Sequence, residues 1–270
     1  MSAWLPTAPC SPRACVETTP AAARAVPRAV LRLTGVVLLL VAGLALSPLG
    51  ARVPESAVRR WCRWIVRAAG VRVRITGGPA PAGGTLLVAN HISWLDVPLL
   101  AAVRPARMLA KTEVRRWPIA GALAARGGTL FIDRDRLRAL PDTVARIAGA
   151  LREGAAVAAF PEGSTWCGRA QGPFRRAVFQ AALDAGVPVQ PVRIAYRLGA
   201  ATAGTAPAFV GDDTLLASVW RVVTSHGLVA EVEVRPVIPP GGAPDRRALA
   251  RAAQQRPAPA PAGTHPVPVT

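Results

Sequence analysis

Lysine is almost missing from this chain: Lys111 stands alone, and every other one of its 33 basic residues is an arginine. Acidic residues number only 15, which leaves a formal net charge of +18 and implies anionic partners: nucleic acid, an acidic membrane surface or phosphorylated substrates. Arginine, alanine, glycine and proline in such abundance also suit a GC-rich genome, so the charge permits anion binding without proving it. Few aromatics are interleaved with the charges and no nucleic-acid module is recognisable, so a nucleic-acid partner is not expected. The four cysteines, Cys10, Cys15, Cys62 and Cys167, form no Cys-x-x-Cys and have no nearby histidine to complete a metal site. They read as unpaired thiols in a reducing compartment, with a Cys10–Cys15 disulfide as the alternative, and no metal is expected. No internal repeat is visible, and the length suits one α/β domain with terminal extensions.

Residues 1–28 are rich in alanine, proline, serine and threonine, and read as a flexible leader. Residues 29–70 read as membrane-anchor and interfacial helices. The uncharged run from Leu33 to Gly50 is near the lower limit of what crosses a bilayer as a helix, and arginines flank it on both sides, which leaves its orientation open. It begins late for a secretory signal, and no good Ala-x-Ala site closes it. Val58 to Ala69 mixes arginines with Trp61, Trp64, Ile65 and Val66. That pattern suits a helix at the lipid headgroups, though a core-packing helix would look similar.

From residue 71 to 238 the chain alternates strand and helix patterns. The expected strands are Val71–Thr76, Thr85–Ala89, Ala106–Ala110, Gly128–Ile132, Ala155–Phe160, Val189–Ala195 and Val229–Val234. The clearest helices are Arg136–Arg152 and Phe174–Ala185, the latter closed by Gly186. The fold class is therefore α/β: a mixed, mostly parallel sheet flanked by helices, preceded by an apolar membrane-associating helix. Residues 239–270 read as a Pro/Ala-rich disordered tail.

Polar motifs fall just after the strands, where open α/β sheets collect their active-site residues. In His91-Ile92-Ser93-Trp94-Leu95-Asp96 an imidazole precedes a carboxylate by five residues, directly after the run Thr85–Ala89 and Asn90. Positions five apart on a helix point roughly 140° away from each other, so the pair can meet only if His91 lies in the loop and Asp96 in the first turn of the next helix. Ser93 suits the N-cap of that helix, and Asp96 suits its positive end. Such a pair can activate a hydroxyl, the imidazole taking the proton and the carboxylate orienting it. Taken alone, the same residues also describe a cap and a surface polar group.

Three further segments accompany the pair. Phe131-Ile132-Asp133-Arg134 delivers an arginine at a strand exit, either to hold a phosphate or to open a charged helix. Phe160-Pro161-Glu162-Gly163-Ser164 puts a glutamate and a glycine on a turn, where the carboxylate can accept from substrate hydroxyls or orient an arginine. Val187-Pro188-Val189-Gln190-Pro191-Val192 is a short buried strand punctuated by prolines.

In this order and spacing the four blocks resemble the phospholipid/glycerol acyltransferase family, the group containing the 1-acyl-sn-glycerol-3-phosphate acyltransferases. The resemblance covers about Thr85 to Tyr196. It implies that His91 and Asp96 are the catalytic pair, that Arg134 holds the acceptor phosphate, and that Glu162, Gly163 and Ser164 take part in acceptor binding. Lys111, at the exit of a strand, adds charge to the same pocket. The implied reaction is acyl transfer from acyl-CoA or acyl-carrier protein to the free hydroxyl of a lysophospholipid. The expected acceptor is 1-acylglycerol-3-phosphate, giving phosphatidic acid, with another lyso-lipid such as lyso-ornithine lipid as the alternative. The implied partners are membrane lipids, the lysophospholipid and the acyl donor; no cofactor beyond that co-substrate is implied. The implied location is the cytoplasmic face of the cell membrane. A basic membrane-binding protein without catalysis is the reading from another class.

Overall fold

Two apolar clusters enclose one central strand, and that strand positions the rest of the molecule. The structure, a computed structural model, describes residues 7–17, 25–78, 81–133, 137–199 and 204–255. In chain order it contains α1 (Pro12–Cys15), α2 (Ala25–Leu46), α3 (Glu55–Ala68), β1 (Arg72–Gly77), β2 (Thr85–Ala89), α4 (Asp96–Val103), β3 (Arg107–Lys111), α5 (Ala120–Arg126) and β4 (Leu130–Ile132). There follow α6 (Leu140–Arg152), β5 (Ala156–Ala159), α7 (Ala177–Ala185), β6 (Val189–Leu198), α8 (Leu215–Thr224), β7 (Leu228–Val234) and α9 (Arg246–Gln254).

The strands form one sheet in the order β1-β7-β6-β2-β5-β3-β4. β6, β2, β5, β3 and β4 run parallel, β7 is antiparallel to β6, and β1 is parallel to β7. The expected mixed, mostly parallel sheet is thus present. β2 is buried along its whole length, as a strand covered on both faces must be. Its side chains alternate: Leu87 and Ala89 join a cluster with residues of α3, α4 and α8, while Leu86 and Val88 join one built from α6, α7 and α9.

Most expected elements recur with shifted ends. Gly127 and Gly128 close α5, Gly128 at a φ of 72°, so β4 starts two residues later than expected. α6 begins at Leu140 with proline in its first turn, and the start expected at Arg136 lies outside the described residues. α7 begins at Ala177, three residues later than expected, and before it the Phe174 N–H donates to the Gln254 side chain. Gly186 closes it in the left-handed conformation, as expected.

The ends of the chain differ more. Within the expected leader, Cys10 is buried and α1 is capped by the Ser11 hydroxyl, which accepts from the Ala14 N–H. Within the expected tail, Asp245 accepts from the N–H groups of Arg247 and Ala248, and Leu249, Ala250 and Ala253 bury one face of α9 in the second cluster. Residues 256–270 lie outside the described residues.

α2 and the residues after it, Ala25–Gly50, are long and apolar enough to cross a membrane. Only Ala25, Ala29 and Val36 of α2 are buried, and Leu31 and Leu38 face outward at 73% and 64% exposure. The helix is also docked on the domain. Arg32 donates to the Val223 and Ser225 carbonyls at the end of α8, and the Trp61 indole donates to the Leu39 carbonyl. α3 combines the two readings left open for it: Cys62, Ile65 and Val66 enter the core while Trp64 points outward.

Candidate active site

The loop between β2 and α4 is built around one carboxylate. Asp96 is wholly buried at the start of α4, and its Oδ2 accepts from His91 Nδ1 at 2.8 Å, from the Ile92 N–H at 2.6 Å and from the Ser93 N–H at 2.8 Å. Oδ1 accepts from the Tyr196 hydroxyl at 2.5 Å. Four donors converging on a buried carboxylate fix its position and, through Nδ1, the plane of the imidazole. A carboxylate can only accept, so the proton on the shared edge belongs to Nδ1, and Nε2 is left as the proton acceptor. The ring stacks on Phe160 with centroids 4.0 Å apart and planes 11° from parallel, and its side chain is 22% exposed.

The structure corrects the cap. Ser93 does not cap α4: Leu95 occupies that position, the Ser93 hydroxyl accepts from the Leu95 N–H, and Asp96 itself satisfies the loop amides. The loop needs an acceptor for two consecutive inward-facing N–H groups, and Asp96 Oδ2 serves both while Oδ1 remains for the Tyr196 hydroxyl.

Glu162 has a different task from the one its turn suggests. It is 3% exposed, with Oε2 accepting from the His91 N–H at 2.7 Å and Oε1 accepting from the Gly172 N–H at 3.1 Å. Both oxygens face backbone, so the side chain clamps the histidine from behind instead of meeting a substrate hydroxyl. The Trp166 N–H donates to the His91 carbonyl, completing the clamp.

Burial pushes the Glu162 carboxyl up from 4.5 to about 8; the His91 and Gly172 amides pull it down, and the Asp96 charge adds to the rise. The folded form therefore holds a proton that the unfolded chain releases above pH 4.5, so stability falls as pH rises from there toward 8. Thermal unfolding followed against pH should show this decline in the parent protein and a weaker one in Glu162→Gln; equal slopes would assign the decline to other groups.

Gly163, at a φ of 75°, turns the chain after Glu162, and the buried Ser164 hydroxyl oxygen has no hydrogen-bond partner. Lys111 ends β3 on the same sheet edge as His91 and Glu162, in register with Ile132 of β4, but makes no contact with the pair. Arg134 lies outside the described residues; β4 ends two residues before it on this same edge.

Two site residues escaped the sequence reading. Tyr196, the only tyrosine, is buried, and burial with the neighbouring Asp96 charge raises its hydroxyl pKa well above the usual value, so it stays a donor. Asn90 spans to β6, donating to the Ile194 carbonyl at 2.9 Å and accepting from its N–H at 2.8 Å, so an amide side chain continues the β2–β6 ladder into the loop. Asn90 directly follows the apolar run of β2, the one signal that marked it, whereas Tyr196 shares β6 with Gln190, Arg193 and Arg197 and carried none.

The acyltransferase family model matches residues 72–195, which contain His91, Asp96 and Glu162. A lyso-ornithine lipid O-acyltransferase of Pseudomonas aeruginosa is 40% identical over 215 residues, 79% of this chain and 80% of that protein. The chain belongs to the acyltransferase family. A 1-acyl-sn-glycerol-3-phosphate acyltransferase of Neisseria meningitidis is 36% identical over 73% of the chain and 78% of its own length. The crystal structure of the 1-acyl-sn-glycerophosphate acyltransferase of Thermotoga maritima matches with a TM-score of 0.65 at 18% identity, covering 86% of this chain and 92% of that one, a likeness of fold. As a member of this acyltransferase family the chain is an O-acyltransferase, and the reading as a basic membrane-binding protein without catalysis is set aside.

Proposed function

We propose that this acyltransferase moves an acyl group from acyl-CoA or acyl-carrier protein to the free hydroxyl of a lyso-lipid, with 1-acylglycerol-3-phosphate as acceptor and phosphatidic acid as product. The observation that carries the proposal is the His91–Asp96 pair, 2.8 Å apart, its second imidazole nitrogen free of Asp96 and its carboxylate fixed by three further donors. His91 Nε2 removes the acceptor's hydroxyl proton as the oxygen attacks the thioester carbonyl. Asp96 orients the ring and stabilises the imidazolium. Collapse of the tetrahedral intermediate breaks the carbon–sulfur bond, and the departing thiolate takes the proton back from His91 as free thiol.

Attack is direct, without an acyl-enzyme. Ser93 is wholly buried with its oxygen turned to the Leu95 amide, and neither Ser164 nor Cys167 has a base beside it. Protein groups supply every proton transfer, so the mechanism calls on no metal or organic cofactor. Lys111 and Arg134, at the exits of the neighbouring parallel strands, are assigned to the acceptor's phosphate, and Gly163 and Ser164 to the wall of the acceptor site. Glu162 acts on the histidine's backbone.

The exposed apolar side chains of α2, with Trp64 on α3 and Leu216 and Trp220 on α8, form the surface assigned to the membrane. The donors named above are cytoplasmic thioesters, which assigns the site to the cytoplasmic face of the cell membrane.

A second acceptor, a lyso-ornithine lipid, is favoured by the 40% identity to the enzyme named for it. The purified protein, given labelled acyl-CoA or acyl-carrier protein and a panel of lyso-lipids, is expected to acylate 1-acylglycerol-3-phosphate. Turnover of lyso-ornithine lipid alone would move the assignment to that acceptor, and turnover of neither would overturn both.

A further inference from the structure

Away from the His91–Asp96 pair, the fold gathers three thiols that the acyl-transfer chemistry leaves unused. Cys10 lies before α1, Cys15 ends α1, and Cys167 follows the Glu162 turn, yet their sulfur atoms all lie within 4.8 Å of one another. Cys10 and Cys167 are buried, Cys15 is half-buried, and all are free thiols. Among the described residues no carboxylate or imidazole joins the group. Three thiolates around a tetrahedral cation with metal–sulfur bonds of about 2.3 Å sit about 3.8 Å apart. The cluster is therefore within a small side-chain adjustment of a ligand set.

The backbone around Cys167 supplies an independent sign. Gly168 adopts a φ of 87° and turns the chain, and the N–H groups of Arg169 and Ala170 hydrogen-bond back to the Cys167 sulfur. The Cys167 N–H in turn approaches the Cys10 sulfur. Sulfurs provided with amide donors are prepared to carry negative charge.

We propose that Cys10, Cys15 and Cys167 form a site for a thiophilic divalent cation of the zinc class, bound by three thiolates with a fourth position open to water. Such a site staples residues 7–17 to the loop that carries Glu162. That segment already leans on the same region: Glu17 pairs with Arg169 at 2.8 Å, and its N–H donates to the Thr205 hydroxyl at 3.0 Å. The proposal is independent of the acceptor assignment, because it concerns binding and not turnover.

The test uses the full chain, reduced, stripped with a chelator and titrated with Zn²⁺ and with Cd²⁺, whose thiolate complexes show an ultraviolet charge-transfer band. One equivalent per chain is expected, with tryptic cleavage after Arg13 slowed in the loaded form. Cys167→Ser and Cys15→Ser should each weaken uptake by about 100-fold or more, and Cys62→Ser, remote from the cluster, should leave it unchanged. Cys15 is half-buried, so lost uptake in Cys15→Ser with metal-free unfolding unchanged reports ligation and not misfolding. Absence of one-to-one uptake by the reduced chain, or uptake undiminished in both cluster variants, would overturn the proposal. So would a native protein isolated with two of these sulfurs as a disulfide and no affinity for either ion once reduced.

Discussion

His91→Ala is expected to slow acyl transfer by about 10³-fold while the protein still folds and sediments with liposomes. The rate effect follows from the scarcity of bases at the sheet edge. Glu162, the nearest other carboxylate described, has both oxygens turned to the amides of His91 and Gly172, and Asp96 is wholly buried behind the imidazole. Neither of these two carboxylates can take over Nε2's task. The fold should tolerate the change, because Asp96 keeps three of its four donors and the His91 backbone remains clamped by Glu162 and Trp166. Labelled acyl transfer and liposome co-sedimentation on the same preparation separate the two effects. Undiminished transfer would remove His91 from the mechanism.

Asp96→Ala should act mainly on stability. It leaves the His91 Nδ1–H, the Ile92 and Ser93 N–H groups and the Tyr196 hydroxyl without their acceptor at a position that is wholly buried. Each orphaned donor costs about 1–3 kcal/mol, and together they approach the whole stability of an ordinary domain. The variant should express poorly or unfold at a much lower denaturant midpoint.

Asp96→Asn should behave otherwise. Its oxygen can remain at the Oδ2 position, where three donors converge, while its NH₂ donates to the Tyr196 oxygen. The imidazole keeps its tautomer and loses only the charge that stabilises its protonated form, so the fold should survive with acyl transfer reduced by about 10²-fold or more. Equal stability of Asp96→Ala and the parent in a denaturant titration would contradict the four-donor account.

The parts of the site legible in the sequence were those governed by local pattern. Thr85–Ala89 is apolar throughout, so a doubly covered strand was readable, and the five-residue interval from His91 to Asp96 required a loop-to-helix junction, which is what forms. Glu162 was correctly expected at a strand exit, but the direction of its carboxylate depends on Gly172, ten residues onward, and on His91 in another strand's loop. Tyr196 and the three converging cysteines become meaningful only once distant segments pack, and no interval in the chain encodes that. α9 was legible in part: Asp245 suited a cap, and Leu249, Ala250 and Ala253 make a helical stripe, but the alanine, proline and arginine around them hid it.

The pairing of β2 with β6 has a consequence in folding time. Asn90 meets Ile194 across 104 residues, Asp96 meets Tyr196 across 100, and β1 closes on β7, the last of the described strands. Loops of this length close late and slowly. His91 and Asp96 can approach each other early, since only five residues separate them, but the tyrosine and the ladder that fix the carboxylate arrive with β6. A nascent chain therefore carries the reactive imidazole until β6 has been made without the support that makes it a directed base, and catalytic competence is acquired late.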